Sequence, residues 1–125
     1  SRLQEIKAQK SAFITQRLHL TTEEARTCWP IYDRYDAEMD ALRQQMRTGR
    51  RGMKQDSTIS ESDAAKAIDE ELADRQKQLD IRKRYTEEFK KSIGSVKTLA
   101  LGKAEMDFNR ELLKRMRPQD GRGGR

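Results

Sequence analysis

The stretch "LTTEEARTCWPIYDRY", residues 20–35, decides the predicted fold because it combines a helix start with a proline inside the same helix. Thr21 and Glu24 match a T-x-x-E capping box, in which each side chain accepts a hydrogen bond from the other residue's backbone N–H. Apolar residues then recur three and four apart, as on one helical face. Pro30 lies about two turns into that helix and costs roughly 3 kcal/mol there, so we expect it to have a specific role.

The composition indicates an all-α protein with a large exposed surface. Of the 125 residues, 34% are hydrophobic and 38% are charged, and the mean hydropathy is −1.08. Proline occurs only twice, and the apolar residues follow helical rather than alternating spacing. No apolar run approaches the ~20 residues of a membrane span, so no integral membrane segment is expected.

The periodicity predicts one domain over residues 1–117, built from four helices. Gly94 is the expected break between the last two helices, because glycine is the usual residue just beyond a helix C-terminus. A mobile connection containing Gly49 and Gly52 is expected before the third helix. The basic, glycine-rich end, residues 118–125, is expected to be disordered. The predicted helices are 3–18, 22–47, 60–93 and 95–117.

The predicted core follows the apolar faces of these helices. In the third helix the apolar register shifts between Leu79 and Ile81, so its two halves are expected to bury different faces against different partners. Most methionines, Met106 and Met116 among them, are expected in the core. The face of the second helix comprises Ala25, Cys28, Trp29, Tyr32, Tyr35, Met39, Leu42 and Met46. The apolar face of the third helix comprises Ala65, Ile68, Leu72, Leu79, Ile81, Tyr85, Phe89 and Ile93. The apolar face of the fourth helix comprises Val96, Leu99, Leu101, Ala104, Phe108, Leu112 and Met116.

The residues that carry enzyme chemistry are scarce, so we expect no catalytic site. His19 is the only histidine and lies at a predicted helix corner. Cys28 is the only cysteine and lies on an apolar face, which favours a buried, inert thiol. One histidine and one cysteine are too few for a metal site, and no glycine-rich phosphate loop precedes a helix. We therefore expect no metal and no cofactor.

The net charge of +6 is unevenly distributed along the chain. Residues 49–57 contain three basic residues and one acidic residue, and residues 95–125 contain eight basic and four acidic residues. The sequence pI of about 9.6 would suit nucleic acid, but the second and third helices mix both signs and offer no continuous basic stripe. We therefore expect no nucleic-acid partner. Acidic or partly unfolded proteins fit the charge better.

A candidate client-binding surface lies where the second helix gives way to the predicted loop. Mobile cations would attract acidic clients, and flexible thioethers would provide adaptable apolar contact. An ordinary exposed loop would have a similar sequence, and that alternative remains open. The candidate residues are Met46, Arg47, Arg50, Arg51, Met53 and Lys54.

Three segments resemble a known family of small bacterial proteins. "ITQRLHLTTEEARTCWPIYDRY", residues 14–35, is similar to the pattern I-T-x-x-L-x-L-T-x-E-E-A-x-x-F-W-P-x-Y. "YTEEFKKSI" and "AEMDFNRELLKRMR" resemble later helices of the same proteins, although Gly102 and Lys103 stand where Tyr-Gln is common. These proteins, often described as sensors of extracytoplasmic-function sigma factors, are related to the Spy/CpxP periplasmic chaperones.

The resemblance implies a fold, a location and a function. The fold would be an elongated, hooked four-helix hairpin that dimerises into a curved cradle, with an architectural motif of Leu20, Thr21, Glu24, Trp29, Pro30 and Tyr32. In that motif Pro30 would bend the second helix and Trp29 would fill the inside of the bend. The location would be the periplasm. Because the chain begins with serine, we expect that an N-terminal segment has been removed, and with a periplasmic location that segment would be a signal peptide. The protein would hold unfolded clients or signal envelope stress through a membrane protein. A metal-responsive sensor of the same architecture is the alternative.

Overall fold

The described part of the chain folds into three helices. A computed structural model describes the backbone of residues 1–54 and 58–116, and the side chains of the same residues except 50–54. In chain order the elements are α1 (Arg2–Leu18), α2 (Thr22–Lys54) and α3 (Glu61–Met116). The described part contains no strand, which confirms the all-α prediction. None of its helices is long and apolar enough to cross a membrane.

The turn between α1 and α2 is a Schellman motif. His19 adopts the left-handed conformation, with φ 55° and ψ 46°. Its N–H donates to the carbonyl oxygen of Gln16 (3.2 Å), and the N–H of Leu20 donates to that of Thr15 (3.1 Å). These two bonds satisfy carbonyl groups that a helix end otherwise leaves unpaired. The lone histidine therefore has a local structural role at the corner.

Helix α2 is longer than predicted. It continues to Lys54, so the predicted end at residue 47 and the predicted loop over residues 48–54 are wrong. A single glycine costs a helix only about 1 kcal/mol relative to alanine, and Gly49 is tolerated here. The Thr48 hydroxyl donates to the carbonyl oxygen of Gln44 (3.0 Å) within the same segment.

Pro30 lies inside α2 without ending it. The proline removes the hydrogen bond to the carbonyl oxygen of Arg26, four residues earlier. Both residues lie on the exposed side of α2, where water can solvate that carbonyl oxygen. The proposed bend at Pro30 stays a prediction.

Helix α3 is interrupted at the residue that the sequence predicted. Gly94, with φ 84° and ψ 164°, is the one non-helical residue inside it. The helical segments before and after this residue correspond to the predicted third and fourth helices. Ser60 caps its start by accepting a hydrogen bond from the N–H of Asp63 (3.0 Å). Residue 117 and the predicted disordered tail, residues 118–125, lie outside the described residues.

The chain divides into two compact units. The terminal unit contains residues 1–29 and the chain from residue 89 onward, and the middle unit contains residues 30–88. Each unit has its own buried apolar core. The buried residues of the terminal unit include Ile14, Leu18, Cys28, Phe89, Ile93, Leu101, Ala104 and Phe108. Those of the middle unit include Ile31, Tyr32, Met39, Leu42, Ile81 and Tyr85.

Several residues assigned to the core by their spacing are exposed. In the first part of α3 the predicted apolar face is exposed within this chain as far as Leu79, whereas the face from Ile81 onward is buried. The reason is that α3 has more apolar residues than the preceding helices can cover, and those helices contact only one side of it. The exposed residues are Ile68, Leu72, Leu79, Val96, Leu99, Met106 and Met116.

The backbone at Gly94 gives a direct test of the break in α3. Only glycine readily adopts this conformation, so Gly94→Ala should lower the free energy of unfolding by about 1–3 kcal/mol. Gly102 has ordinary helical geometry and open space where the methyl group of an alanine would lie, so Gly102→Ala should raise stability by about 0.5–1 kcal/mol. Urea denaturation followed by circular dichroism measures both. Equal effects of the two substitutions would contradict the assigned geometry.

Candidate functional site

The capping box predicted at the start of α2 is present in the terminal unit. The N–H of Thr21 donates to the Glu24 carboxylate (2.9 Å), and the N–H of Glu24 donates to the Thr21 hydroxyl (3.0 Å). Lys97 of α3 donates to Glu24 (2.7 Å) and to the carbonyl oxygen of His19 (3.1 Å). The hydrogen bond from Lys97 is the main cause of the lowered pKa of Glu24. This cluster joins the corner between α1 and α2 to α3.

Trp29 also has a structural contact in the terminal unit. Its indole N–H donates to the hydroxyl of Thr15 on α1 (3.1 Å), and the ring is half-buried. A buried tryptophan usually pairs its N–H in this way. The adjacent Thr27 hydroxyl lies 2.6 Å from that of Ser92 on α3. These contacts are consistent with a structural role for the WPxY segment.

Glu38 is the centre of the polar contacts described in the middle unit. The guanidinium of Arg84 donates two hydrogen bonds to its carboxylate (3.1 and 2.8 Å), and the Tyr85 hydroxyl donates a third (2.7 Å). These donors lower the pKa of Glu38 to about 2, with Arg84 as the largest cause, and Glu38 in turn raises the pKa of Tyr85. The Tyr85 ring stacks edge-on against Tyr35 at 5.5 Å, and Tyr35 stacks likewise on buried Tyr32. The cluster connects α2 with α3.

Only part of the predicted client-binding surface lies among the described side chains. Met46 is half-buried and Arg47 is exposed, while the side chains of Arg50, Arg51, Met53 and Lys54 lie outside that part. Met46 lines a groove of about 270 Å³ that α2 and α3 form together. The groove is acidic rather than basic along α3, which weakens its attraction for acidic clients. Its other lining residues are Gly49, Ala67, Ile68, Glu70, Glu71 and Asp74.

The first part of α3 presents an exposed stripe, which we term the middle seam: Ala65, Ile68, Leu72, Arg75, Leu79 and Arg82. Its positions alternate three and four residues apart, which is the a/d spacing of a coiled-coil seam. Leu72 is 62% exposed and Leu79 is 46% exposed. The sequence identified these apolar residues and predicted that this half of the helix buries them against a different partner from the second half; within the described part of the chain they are exposed.

The last part of α3 presents a second exposed stripe, the terminal seam: Val96, Leu99, Lys103, Met106, Arg110 and Leu113. These positions also alternate three and four residues apart. The apolar members are 63–82% exposed, whereas Leu101, Ala104 and Phe108 on the other side of the helix are 1–4% exposed. Sequence reasoning missed this stripe because it merged both apolar sets into one face. The strict alternation of three-residue and four-residue spacing is the signal that separates the exposed apolar set from the buried one.

The Cys28 thiol is fully buried, and burial raises its pKa to about 11. In the described part of the chain no charged side chain is buried, and no three or more His, Cys, Asp or Glu residues group together as metal ligands would.

Comparison of this chain with protein-family models, curated proteins and solved structures gives no significant match. The resemblance to the Spy/CpxP family therefore depends on the sequence motifs quoted above.

The Glu38 cluster predicts a pH dependence of stability. Because the folded pKa of about 2 lies below the ordinary 4.5, the stabilisation is complete above pH 4.5 and is lost as the pH falls towards 2. The side chain is 41% exposed, so solvent screening reduces the size of the effect. In Glu38→Gln, the free energy of unfolding measured by urea denaturation should fall less steeply between pH 4.5 and 2 than it does in the parent. The exposed control Glu70→Gln should leave that fall unchanged, and an equally steep fall in Glu38→Gln would contradict the assignment.

Proposed function

We propose that this chain is a non-catalytic binding protein of the periplasm, similar to the Spy/CpxP proteins, that holds unfolded or partly folded proteins under envelope stress or signals their presence to a sigma-factor system. The location and the link to stress come from the motif resemblance. The proposed binding activity has independent physical support in the structure.

The exposed apolar surface of the helices is the observation that carries the proposal. Ten large apolar side chains of the described residues are at least 40% exposed. Single exposed apolar residues are common on any protein, but lines of them mark binding surfaces. Seven of the ten lie on the two seams of α3, among lysine and arginine side chains. Such a surface suits chains that expose apolar and acidic groups together.

We propose that the chain forms a homodimer through the middle seam, with α3 antiparallel to its copy, as in the hooked cradle that the resemblance implies. Residues 61–74 contain six acidic residues and one basic residue, whereas residues 75–93 contain seven basic and three acidic residues. A two-fold axis near the middle of this segment would place the acidic half of each copy against the basic half of the other. The opposite charges would favour this orientation over the parallel one.

The dimer can be tested by sedimentation velocity at micromolar concentration. The parent should sediment as a dimer that dissociates on dilution, and added salt should weaken it. Leu72→Glu places a carboxylate in the seam and should give a monomer with unchanged helix content. Leu3→Glu, an equally exposed position on α1, is the matched control and should stay dimeric. A parent that is monomeric throughout the micromolar range would contradict the proposal.

The binding activity predicts suppression of client aggregation. α-Lactalbumin, an acidic protein that aggregates when its disulfides are reduced, should scatter less light as this chain is added in increasing amounts. Salt should weaken the protection, since exposed charges are screened beyond about 8 Å at physiological ionic strength. Reduced lysozyme, a basic client, should be protected less. No protection of α-lactalbumin at a several-fold excess of the chain would contradict the proposed function.

The same assay tests the surface predicted at the end of α2. If that surface binds clients, replacing Arg50, Arg51 and Met53 together with serine should weaken protection. If the triple variant protects as well as the parent, the client-binding surface lies elsewhere on the chain.

A further inference from the structure

We infer that the terminal seam is a docking site for an amphipathic helix that presents carboxylates between its apolar side chains. The inference rests on the proposed function and specifies the kind of client segment that the chain binds and where it binds. It depends on the spacing, exposure and charge of six residues on one stripe of α3.

The spacing of the terminal seam matches a helical partner. Val96, Leu99, Lys103, Met106, Arg110 and Leu113 follow the three-four alternation of coiled-coil a and d positions without interruption. Over eighteen residues the seam extends about 27 Å, enough to contact five turns of a second helix. A second helix is the backbone whose own side-chain period matches this three-four alternation, as in helix-to-helix recognition.

The seam is held in place from its other side. Leu101, Ala104 and Phe108 are buried in the terminal unit, and the Phe108 ring lies 5.5 Å from that of Phe13 on α1. The Arg17 guanidinium lies over the Phe13 ring and donates to Asp107 at 2.7 Å. The exposed stripe is therefore formed before any partner binds, which lowers the entropic cost of docking.

The charges of the seam indicate an acidic partner. Lys103 and Arg110 occupy two of its six positions, and their side chains are 79% and 63% exposed. Among the described residues, the carboxylate that both cations contact is that of Asp107 beside the seam, at 3.9 and 3.7 Å, and it is shared with Arg17. A docked helix would remove water from both cations, and that desolvation is costly unless the partner supplies further carboxylates.

The same charges argue against a second copy of this chain as the occupant. In a parallel pairing, Lys103 and Arg110 would each face its own copy. In an antiparallel pairing that aligns all six positions, Lys103 would face Met106 and Arg110 would face Leu99. Neither arrangement places a carboxylate at a seam position opposite Lys103 or Arg110, and the Asp107 of each copy already contacts its own Arg17, so self-association through this seam is disfavoured.

Two peptides test the proposal with the full-length chain. The acidic probe is a labelled three-heptad helix with leucine at four seam positions and glutamate at the two that face Lys103 and Arg110. The basic probe has lysine in place of those glutamates. By fluorescence anisotropy the chain should bind the acidic probe at least about tenfold more tightly than the basic one. Lys103→Glu with Arg110→Glu should reverse this preference, whereas Lys66→Glu with Lys77→Glu, on α3 outside both seams, should leave it unchanged.

The outcomes separate this inference from the proposed function. Equal binding of both probes, or an unchanged preference after the charge reversal in a variant with parental helix content, would overturn the inference. Binding of phosphatidylglycerol vesicles without binding of either peptide would overturn it in favour of a lipid surface. If the chain protects α-lactalbumin but binds neither peptide, the inference about the terminal seam is wrong and the proposed function is retained. If the chain prefers the acidic probe and the charge-reversed variant prefers the basic one, but α-lactalbumin is not protected, only the proposed function is contradicted.

Discussion

In each unit one side of α3 packs against the preceding helices, and most of the structure depends on that one-sided packing. The terminal unit uses Leu101, Ala104 and Phe108, and the middle unit uses Ile81 and Tyr85. With 34% hydrophobic residues, the chain has few apolar groups for a core, yet ten large ones are exposed among the residues that the structure describes. Complete burial of such a side chain contributes roughly 1.5–3 kcal/mol, and each of these partly exposed groups forfeits a share of that stabilisation. We interpret this loss as the cost of keeping apolar surface available for binding.

Polar contacts fix how α3 packs in each unit. Lys97 connects α3 with Glu24 and His19 at the corner, and Arg84 connects it with Glu38. Both carboxylates have lowered pKa values because a cation donates to them. The Arg84–Glu38 pair, with side chains 53% and 41% exposed, contributes little energy in water, whereas those of the Lys97–Glu24 pair are 29% and 25% exposed. Both pairs favour one register of α3 against α2. The helix can then present its other side in a defined orientation.

The sequence predicted the local features of the fold better than it predicted which apolar residues are exposed. The capping box at Thr21, the break at Gly94 and the buried Cys28 each depend on a few neighbouring residues, and all three are confirmed. The end of α2 was misplaced because Gly49 lowers helix propensity without forbidding a helix. Val96 and Leu99 were assigned to the core because helical spacing identifies an apolar face but not what covers it. That information depends on which helices pack against α3, and it is absent from local patterns.

The central claim is that clients contact the terminal seam, and the five methionines allow a direct test. Met106 lies in the seam and is 63% exposed, Met39 is 4% exposed in the core of the middle unit, and Met46 and Met53 belong to the surface predicted at the end of α2. Methyl spectra of the ¹³C-methionine-labelled chain should be recorded while reduced α-lactalbumin is added. We predict that the Met106 signal shifts or broadens first and that the Met39 signal stays unchanged. A response at Met46 and Met53 with an unchanged Met106 signal would contradict the claim.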